Sequence, residues 1–369
     1  MDRRQLLKGM AGVAGSTAFL GGTRFASAQD YNAMIEASKS EGPLNVYSSF
    51  GDEFWPFVLE PFNKKYPWIT VNYLDLNTTE AVQRYLLERS AGSQTADMMV
   101  FISPELWHDL SKRGEIDLYT SAEEPNLPKV ALQYPGIYTG FVDVDVLAWN
   151  SRLLPAELAP SGLEDLANKV KANPDVFAGK IVTKSALNES GQKMSIRALE
   201  RRHGEEKLWE WLSIIGAQTR FDQSSASNAE KVLTGEALVA FSLSLGQTLR
   251  NMADPARASL FAWSFYSDGS PVGPRNAAVM KGATNVNSAR LLLDTMLTAE
   301  GQAGVVRASK VPMRSDFPAD GLPEGFLTYE SLNQQLGAEN VLPITFEEET
   351  DEQKADFIKR YSEAYKVST

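Results

Sequence analysis

Two hydrophobic periods alternate along the chain, and their alternation predicts an α/β fold. Residues 44–50, 69–76 and 96–103 (LNVYSSF, ITVNYLDL and ADMMVFIS) are short apolar or alternating runs of the kind that form buried strands. The segments between them carry apolar residues at helical spacing. A strand–helix–strand–helix–strand order with short connections indicates a parallel sheet covered by helices on both faces.

Start and stop residues support these helices. Asn77 followed by Glu80 has the pattern of a capping box that opens the helix after the second strand. Ser103 is a natural N-cap, Pro104 suits a first helical turn, and Gly114 ends that helix. The segment FWPFVLEPFNKKYP at 54–67 predicts a helix broken by its prolines.

A looser stretch rich in proline and glycine, at 119–140, precedes a second α/β region. It leads into a strand at 141–150, and we interpret it as a crossover into a second lobe. Beyond it the pattern predicts a strand at 179–184, one or two helices over 195–217, a capped helix at 224–235 and a strand at 236–244. A loop at 265–276 is then expected before an apolar segment, a long helix at 287–306 and a helical, acidic tail.

The first 28 residues have the pattern of an export signal. Arg3 and Arg4 precede a weakly apolar stretch that ends in the small residues 26–28, which resembles a twin-arginine signal peptide with its cleavage site. The chain contains no cysteine, which excludes a lipid-modified cysteine, disulfides and thiolate chemistry. We therefore expect a soluble, non-lipidated periplasmic protein, without membrane insertion once the signal is removed.

The charge gives little sign of a polyanionic partner. The formal net charge is −11, and it becomes more negative without the basic signal segment. Neither nucleic acid nor an anionic membrane surface is indicated as a partner. We expect a monomer that stays in solution.

Several segments, in their order and spacing, resemble one family. They include LNVYSSFGDEF at 44–54, AGSQTADMMVF at 91–101, VLTGEALVAF at 232–241 and AAVMKGATNVNSARLLLDTMLTAEGQ at 277–302. In these the chain is similar to periplasmic solute-binding proteins of ABC importers, in the ferric-binding-protein-like group of extracellular solute-binding family 1. The resemblance implies the type II periplasmic binding fold, with two lobes that are each a mostly parallel sheet flanked by helices, and with a hinge between them. It places lobe 1 at 29–140 and 265–307, and lobe 2 at 141–264 and 308–369.

The loops that follow the predicted strands are rich in hydroxyl groups and glycine. In open parallel sheets, ligands bind beyond the carboxyl ends of the strands, where helix N-termini offer unpaired N–H groups and positive dipole ends. For any single serine or threonine, an ordinary helix cap is the competing interpretation. If the loops converge, they suit an anionic or strongly polar solute, and the candidate ligand-binding residues are Ser48, Ser49, Thr78, Ser103, Ser190, Gly191, Gln192 and Ser225.

The resemblance also bears on iron. Ferric members of the family use a tyrosine pair and a lobe 1 histidine or glutamate, but those positions correspond here to Leu245, Gly246, Gly51 and Ile102, which cannot ligate a metal. Ferric members also bind a phosphate beside the iron, and the residues that hold this phosphate correspond here to Ser190-Gly191-Gln192 and Ser225. We therefore expect a small anionic organic solute, of phosphonate, sugar phosphate or carboxylate type, bound without metal or cofactor. The candidate charge partners are Arg84, Arg197, Arg220 and Arg275.

Three other functions remain open at this stage. The first is a ferric iron-binding transport protein of the same family. The second is an exported periplasmic enzyme, although the chain has no nucleophile elbow, no zinc-protease motif and no phosphate-binding P-loop, so no catalytic residue is assigned. The third is a ligand sensor, because a sensor would share its sequence features with a protein that hands its solute to an inner-membrane permease.

Overall fold

The structure is a computed structural model, and it describes residues 28–188, 190–318, 320, 322, 325–345 and 348–367. The predicted signal peptide lies outside the described residues, apart from Ala28. Within the described ranges, no helix has both the length and the apolar character needed to cross a bilayer.

Strands and helices alternate through most of the chain. The strands are β1 (Leu44–Ser48), β2 (Val71–Asp75), β3 (Met98–Phe101), β4 (Ile137–Asn150), β5 (Ile181–Thr183), β6 (Thr219–Phe221), β7 (Val239–Ser244), β8 (Phe261–Ser264), β9 (Ser270–Val279), β10 (Val311–Pro312) and β11 (Val341–Pro343). The first helices are α1 (Ala28–Ser38), α2 (Trp55–Lys65), α3 (Thr78–Ser90), α4 (Pro104–Lys112), α5 (Leu163–Ala172), α6 (Pro174–Phe177), α7 (Ser190–His203) and α8 (Glu205–Gly216). The remaining helices are α9 (Ser225–Thr234), α10 (Leu245–Met252), α11 (Pro255–Ala258), α12 (Val286–Leu297), α13 (Ala299–Arg307), α14 (Tyr329–Leu336) and α15 (Asp351–Tyr365).

The strands form a mixed sheet in the order β2-β1-β3-β9-β4-β7-β5-β6. At both ends of this order the pairing is parallel, between β1 and its neighbours β2 and β3, and between β5 and its neighbours β6 and β7. In the middle, β4 and β9 run antiparallel to their neighbours in that order. The parallel groups follow from the strand–helix alternation that the sequence shows, since parallel neighbours need a crossover helix.

The long strand β4 joins the two halves of the sheet. Its first part, from Ile137 to Val144, pairs with β9, whereas the part from Asp145 onward pairs with β7 and β8. The change of partner between Val144 and Asp145 marks the boundary between two strand groups. The predicted crossover at 119–140 and the predicted lobe boundaries stay a prediction.

Part of one predicted loop is a central strand. The segment 265–276 was expected to be a loop, but β9 begins at Ser270 despite Pro271 and Pro274, and it pairs with β4 along most of its length. On its other side, β11 pairs up to Val272 and β3 pairs from Asn276. Among the described residues, 273–275 therefore have no strand partner on that side, and a proline without a donor is tolerated there.

The prolines of α2 do not break the helix, contrary to the prediction. Pro56 lies in the first turn and Pro61 lies inside the helix. Pro61 has no N–H to give to the carbonyl of Phe57, and the Nη2 of Arg307 donates to that oxygen instead, at 3.2 Å. Close packing makes this possible, because a Cβ on Gly304 would lie 2.5 Å from the same carbonyl oxygen.

Among the described residues, the buried apolar side chains form three clusters. The first packs the strands around β1, β3 and β9 against the helices α2, α12 and α13 and continues past β4 to β7 and α9, with Trp55, Phe62 and Phe141 fully buried. A second joins α5, α7, α8 and α15 to β5 and β7. A third packs α3 and α4 against β1, β3 and β9. The helices α7 and α8 are separated by Gly204, whose φ of 84° lies in the left-handed region.

Candidate functional site

A cavity of about 690 Å³ opens where the two strand groups meet. Its volume lies within the range typical of small-molecule sites. The residues that line it are Asn77, Thr78, Thr79, Ile102, Asp143, Asp145, Lys184, Ala186, Leu187, Asn188, Gly191, Lys193, Ser195, Ser225, Ser244, Gly273, Arg275 and Ile344. Many of them follow the carboxyl end of a strand, as expected for a ligand site in an α/β sheet.

The N-terminus of α3 forms one wall of this cavity. Asn77 caps the helix, since its side chain accepts a hydrogen bond from the amide of Glu80 at 2.9 Å. Thr78 and Thr79 follow the cap and line the cavity. The positive end of the helix dipole therefore lies at the space that a ligand would occupy.

The N-terminus of α9 lies at the same cavity. Ser224 caps this helix by accepting from the amide of Ser227, so Ser225 is left in the first turn with its side chain at the cavity wall. The Oγ of Ser225 accepts a hydrogen bond from the amide of Ser244 at 3.2 Å. That bond ties the start of α9 to the end of β7.

The start of α7 is the third helix N-terminus at the cavity. Gly191 lines it, and among the described residues a Cβ there would meet the Cδ1 of Ile102, at 4.0 Å. Gln192 is buried behind it, and its Nε2 donates to the Oγ of Ser242 at 3.1 Å. The side chain of Ser190 lies outside what the structure describes, although its backbone begins α7.

The predicted residues thus divide into two groups. Thr78, Gly191 and Ser225 lie on one cavity, whereas Ser48, Ser49, Ser103 and Gln192 are not among its lining residues. The Oγ of Ser48 accepts from the amide of Phe50, and Ser103 caps α4. For these two serines the local hydrogen bonds are those of an ordinary turn or helix cap.

Asp143 is the centre of a charged cluster in the cavity wall. The Nζ of Lys310 lies 3.2 Å and the Nη2 of Arg275 lies 3.5 Å from its Oδ2, and the hydroxyl of Ser244 donates to both carboxylate oxygens at 2.7 and 2.8 Å. Burial by itself raises the pKa of Asp143. The charges of Lys310 and Arg275 and the Ser244 hydrogen bond outweigh burial and hold the pKa well below its ordinary value.

Arg275 is the candidate arginine that the structure places in the cavity. Its guanidinium lies over the ring of Phe50, 5.1 Å from the centroid, and its Nε is buried without a hydrogen-bond partner among the described residues. The other candidates lie elsewhere: Arg84 pairs with Glu88, and Arg197 pairs with Glu200 and Glu349. Arg220 packs against Gly179.

Sequence reasoning missed the two aspartates of β4 and Lys184. Asp143 and Asp145 lie two residues apart, so their side chains share one face of the strand. The signal was present in the run Val142–Val146, which alternates apolar residues with two acids inside a strand of otherwise apolar character. Acids at inward-facing strand positions are rare without a partner, and such a pattern indicates a site.

Asp145 differs from Asp143 in its surroundings. Its Oδ2 is buried and has no hydrogen-bond partner in the described part of the chain. Burial raises its pKa, while the charge of Lys184 and a hydrogen bond from Ser195 lower it, and the net effect is a raised pKa.

The positions that ferric members use for iron ligands are occupied by packing residues. Gly246 lies in the first turn of α10 against the chain at Ser309, and a Cβ at Gly246 would lie 2.3 Å from the Ser309 carbonyl oxygen. Any side chain there, tyrosine included, would need the backbone to shift. Ile102 points at Gly273 within the cavity. Among the described residues, no group of three or more histidine, cysteine, aspartate or glutamate side chains is arranged to hold a metal ion.

Comparison with known proteins assigns the fold. The chain is similar to the substrate-binding protein of an ABC transporter from Agrobacterium tumefaciens, with a TM-score of 0.76 and 20% identity over 88% of this chain and 96% of that one. Iron-bound HitA from Pseudomonas aeruginosa gives a TM-score of 0.67 and 16% identity over 87% and 99% of the two chains. The periplasmic binding protein AfuA from Actinobacillus pleuropneumoniae, with fructose-6-phosphate bound, also gives 0.67, at 14% identity over 89% and 100%. These likenesses confirm the predicted two-lobe, type II periplasmic binding fold.

The family follows from the sequence itself. No curated protein matches the chain. The model of a family described as bacterial extracellular solute-binding protein matches residues 58–324, which is most of the chain. The chain therefore belongs to the bacterial extracellular solute-binding proteins.

Proposed function

We propose that the protein is the periplasmic solute-binding component of an ABC importer. It captures a small anionic organic solute in the cavity at the β4 junction and delivers it to an inner-membrane permease. Closure around the solute follows from a higher affinity of the closed form, as in other hinged binding proteins. The similarity to the Agrobacterium tumefaciens transporter protein supports this role.

The observation that carries the proposal is the convergence of three helix N-termini on one cavity. The starts of α3, α7 and α9 contribute Thr78, Gly191 and Ser225 to the lining of one cavity. Each helix start adds N–H donors and about half a positive charge, which favours an anion. Arg275 adds a guanidinium at the same place, and its Nε has no hydrogen-bond partner in the part of the chain that the structure describes.

The structural neighbours are compatible with an importer component, and they bind solutes of different chemical classes. AfuA, with a sugar phosphate bound, shows that the fold accommodates an organic phosphate. HitA, with iron bound, shows that it also accommodates a metal. The choice between these classes rests on the residues of this chain, and they favour the anion.

A panel of small solutes tests the proposal on the mature protein. We expect at least one of inorganic phosphate, ethyl phosphate, fructose-6-phosphate, ethylphosphonate or propanoate to bind and raise the melting temperature. A ligand present at 100 times its dissociation constant stabilises the folded state by about 2.7 kcal/mol. Glucose and ethanolamine serve as the neutral and cationic controls. Binding of only these controls would contradict the anionic solute.

Iron gives a separate test. We expect titration with ferric citrate to produce no visible phenolate-to-iron charge-transfer band, because the described cavity wall includes no tyrosine. The measurement is an absorbance difference spectrum against the same protein without iron. Appearance of a band at stoichiometric iron would establish the ferric transport function instead.

A further inference from the structure

Asp145 faces the proposed solute site with part of its hydrogen-bonding capacity unused. It lines the cavity, and its Oδ2 is buried without a hydrogen-bond partner among the described residues. A buried carboxylate oxygen without a donor is costly, so most such groups in proteins are paired. The state of Asp145 therefore needs an explanation.

The neighbouring Asp143, by contrast, has ion-pair and hydrogen-bond partners for its carboxylate. Asp143 has Lys310, Arg275 and the hydroxyl of Ser244 within 3.5 Å. For Asp145 the described residues give no ion pair, although the charge of Lys184 and hydrogen bonds from Ser195 and Ser242 act on it. Asp145 is therefore only partly compensated within the protein, since its Oδ2 has no partner among the described residues.

A carboxylate in this condition interacts best with a cation. A hydrogen bond between an ammonium group and a carboxylate is roughly twice as strong as one between neutral groups. Burial raises the pKa of Asp145, and a bound cation would favour its charged form again. A neutral hydroxyl on the solute would compensate the carboxylate less.

We propose that the solute carries a protonated amine in addition to its anionic group, and that this amine binds Asp145. The inference rests on the proposed function, because it adds a second contact to the same site.

The spacing of the two contacts limits the solute. Asp145 lies two residues along β4 from Asp143, which Arg275 contacts, and two residues of a strand span about 7 Å. An amine and an anionic group joined by a short chain of a few atoms fit this distance. We therefore expect a small zwitterion rather than a large sugar phosphate.

Matched pairs of probes test the amine contact by isothermal titration calorimetry. O-phosphoethanolamine is compared with ethyl phosphate, and β-alanine with propanoate, so that each pair differs by one amine. We expect the amine-bearing member of the pair that binds to be at least about tenfold tighter, and Asp145→Asn to reduce this preference to about twofold or less. Asp175→Asn, on the exposed helix α6, is the matched control and should leave the preference unchanged.

The outcomes separate the two proposals. If ethyl phosphate or propanoate binds as tightly as its amine partner, or if the preference survives in Asp145→Asn, the amine contact is wrong and the anionic site stands. If ethanolamine alone binds as tightly as O-phosphoethanolamine, the anionic site is wrong. If no probe binds at millimolar concentration, both proposals fail.

Because asparagine has nearly the shape of aspartate and removes a buried charge, we expect Asp145→Asn to melt no lower than the unmodified protein, which verifies that it is folded.

Discussion

Replacement of Asp143 by asparagine is expected to lower the free energy of unfolding by about 3–5 kcal/mol. Asparagine keeps the shape and the hydrogen bond with Ser244, but it leaves the cations of Lys310 and Arg275 without their shared counter-charge. Lys310 has a side chain only 8% exposed, and burial already lowers its pKa, so without Asp143 it must either stay charged in a desolvated place or lose its proton. Urea unfolding at neutral pH, followed by tryptophan fluorescence, measures the change.

The double variant Asp143→Asn/Lys310→Met is the control for this prediction. Removing the ammonium group of Lys310 together with the carboxylate of Asp143 should recover much of the lost stability, since replacing a buried ion pair by apolar groups is often close to neutral. A loss below about 1 kcal/mol in the single variant, the size of an exposed ion pair, would show that the cluster is solvated and contributes little.

The pH dependence has a definite sign. The folded-state pKa of Asp143 is depressed, so the stability it contributes is present above the ordinary carboxyl pKa and is lost as the pH falls toward the folded value. Asp143→Asn should therefore reduce the acid-induced loss of stability below about pH 4.

Replacement of Ser225 by leucine is expected to weaken solute binding by about 100-fold or more, without unfolding the protein. The larger side chain enters the cavity at the start of α9 and removes a hydroxyl there. The cap Ser224 remains, so the helix should lose only the Ser244-to-Ser225 hydrogen bond, worth about 1 kcal/mol. Calorimetry with the tightest anionic probe of the panel measures the loss.

The matched control is Ser90→Leu, which makes the same chemical change on an exposed residue at the end of α3. We expect this control to bind as the unmodified protein does. Unchanged affinity in Ser225→Leu, together with the normal behaviour of Ser90→Leu, would place the solute away from the start of α9.

Local chemistry made several elements predictable. The caps at Asn77, Ser103 and Ser224 each accept the hydrogen bond that their position in the sequence indicates. Capping depends on residues within one turn, so a single sequence contains it. The parallel strand groups were predictable for a similar reason, because their order follows from short connections between strands and helices.

Contacts between distant segments were not predictable in this way. Residues 270–276, the first part of β9, were expected to belong to a loop, and they form a strand because β4 pairs along most of β9. α2 continues through Pro61 because Arg307, far along the chain, supplies the donor that the proline lacks. In both cases a tertiary partner outweighs the local preference.

By itself the sequence determined the α/β order, the helix caps and the residues at the strand ends, because each depends on neighbours a few positions away. Only the tertiary structure decided which of those strand ends share a cavity, and it added Asp143, Asp145, Lys184 and Ser244 to them. The compensation of Asp143 by Lys310 joins residues 167 positions apart. Electrostatic energy depends on distance and burial in space, and neither can be read from the order of residues.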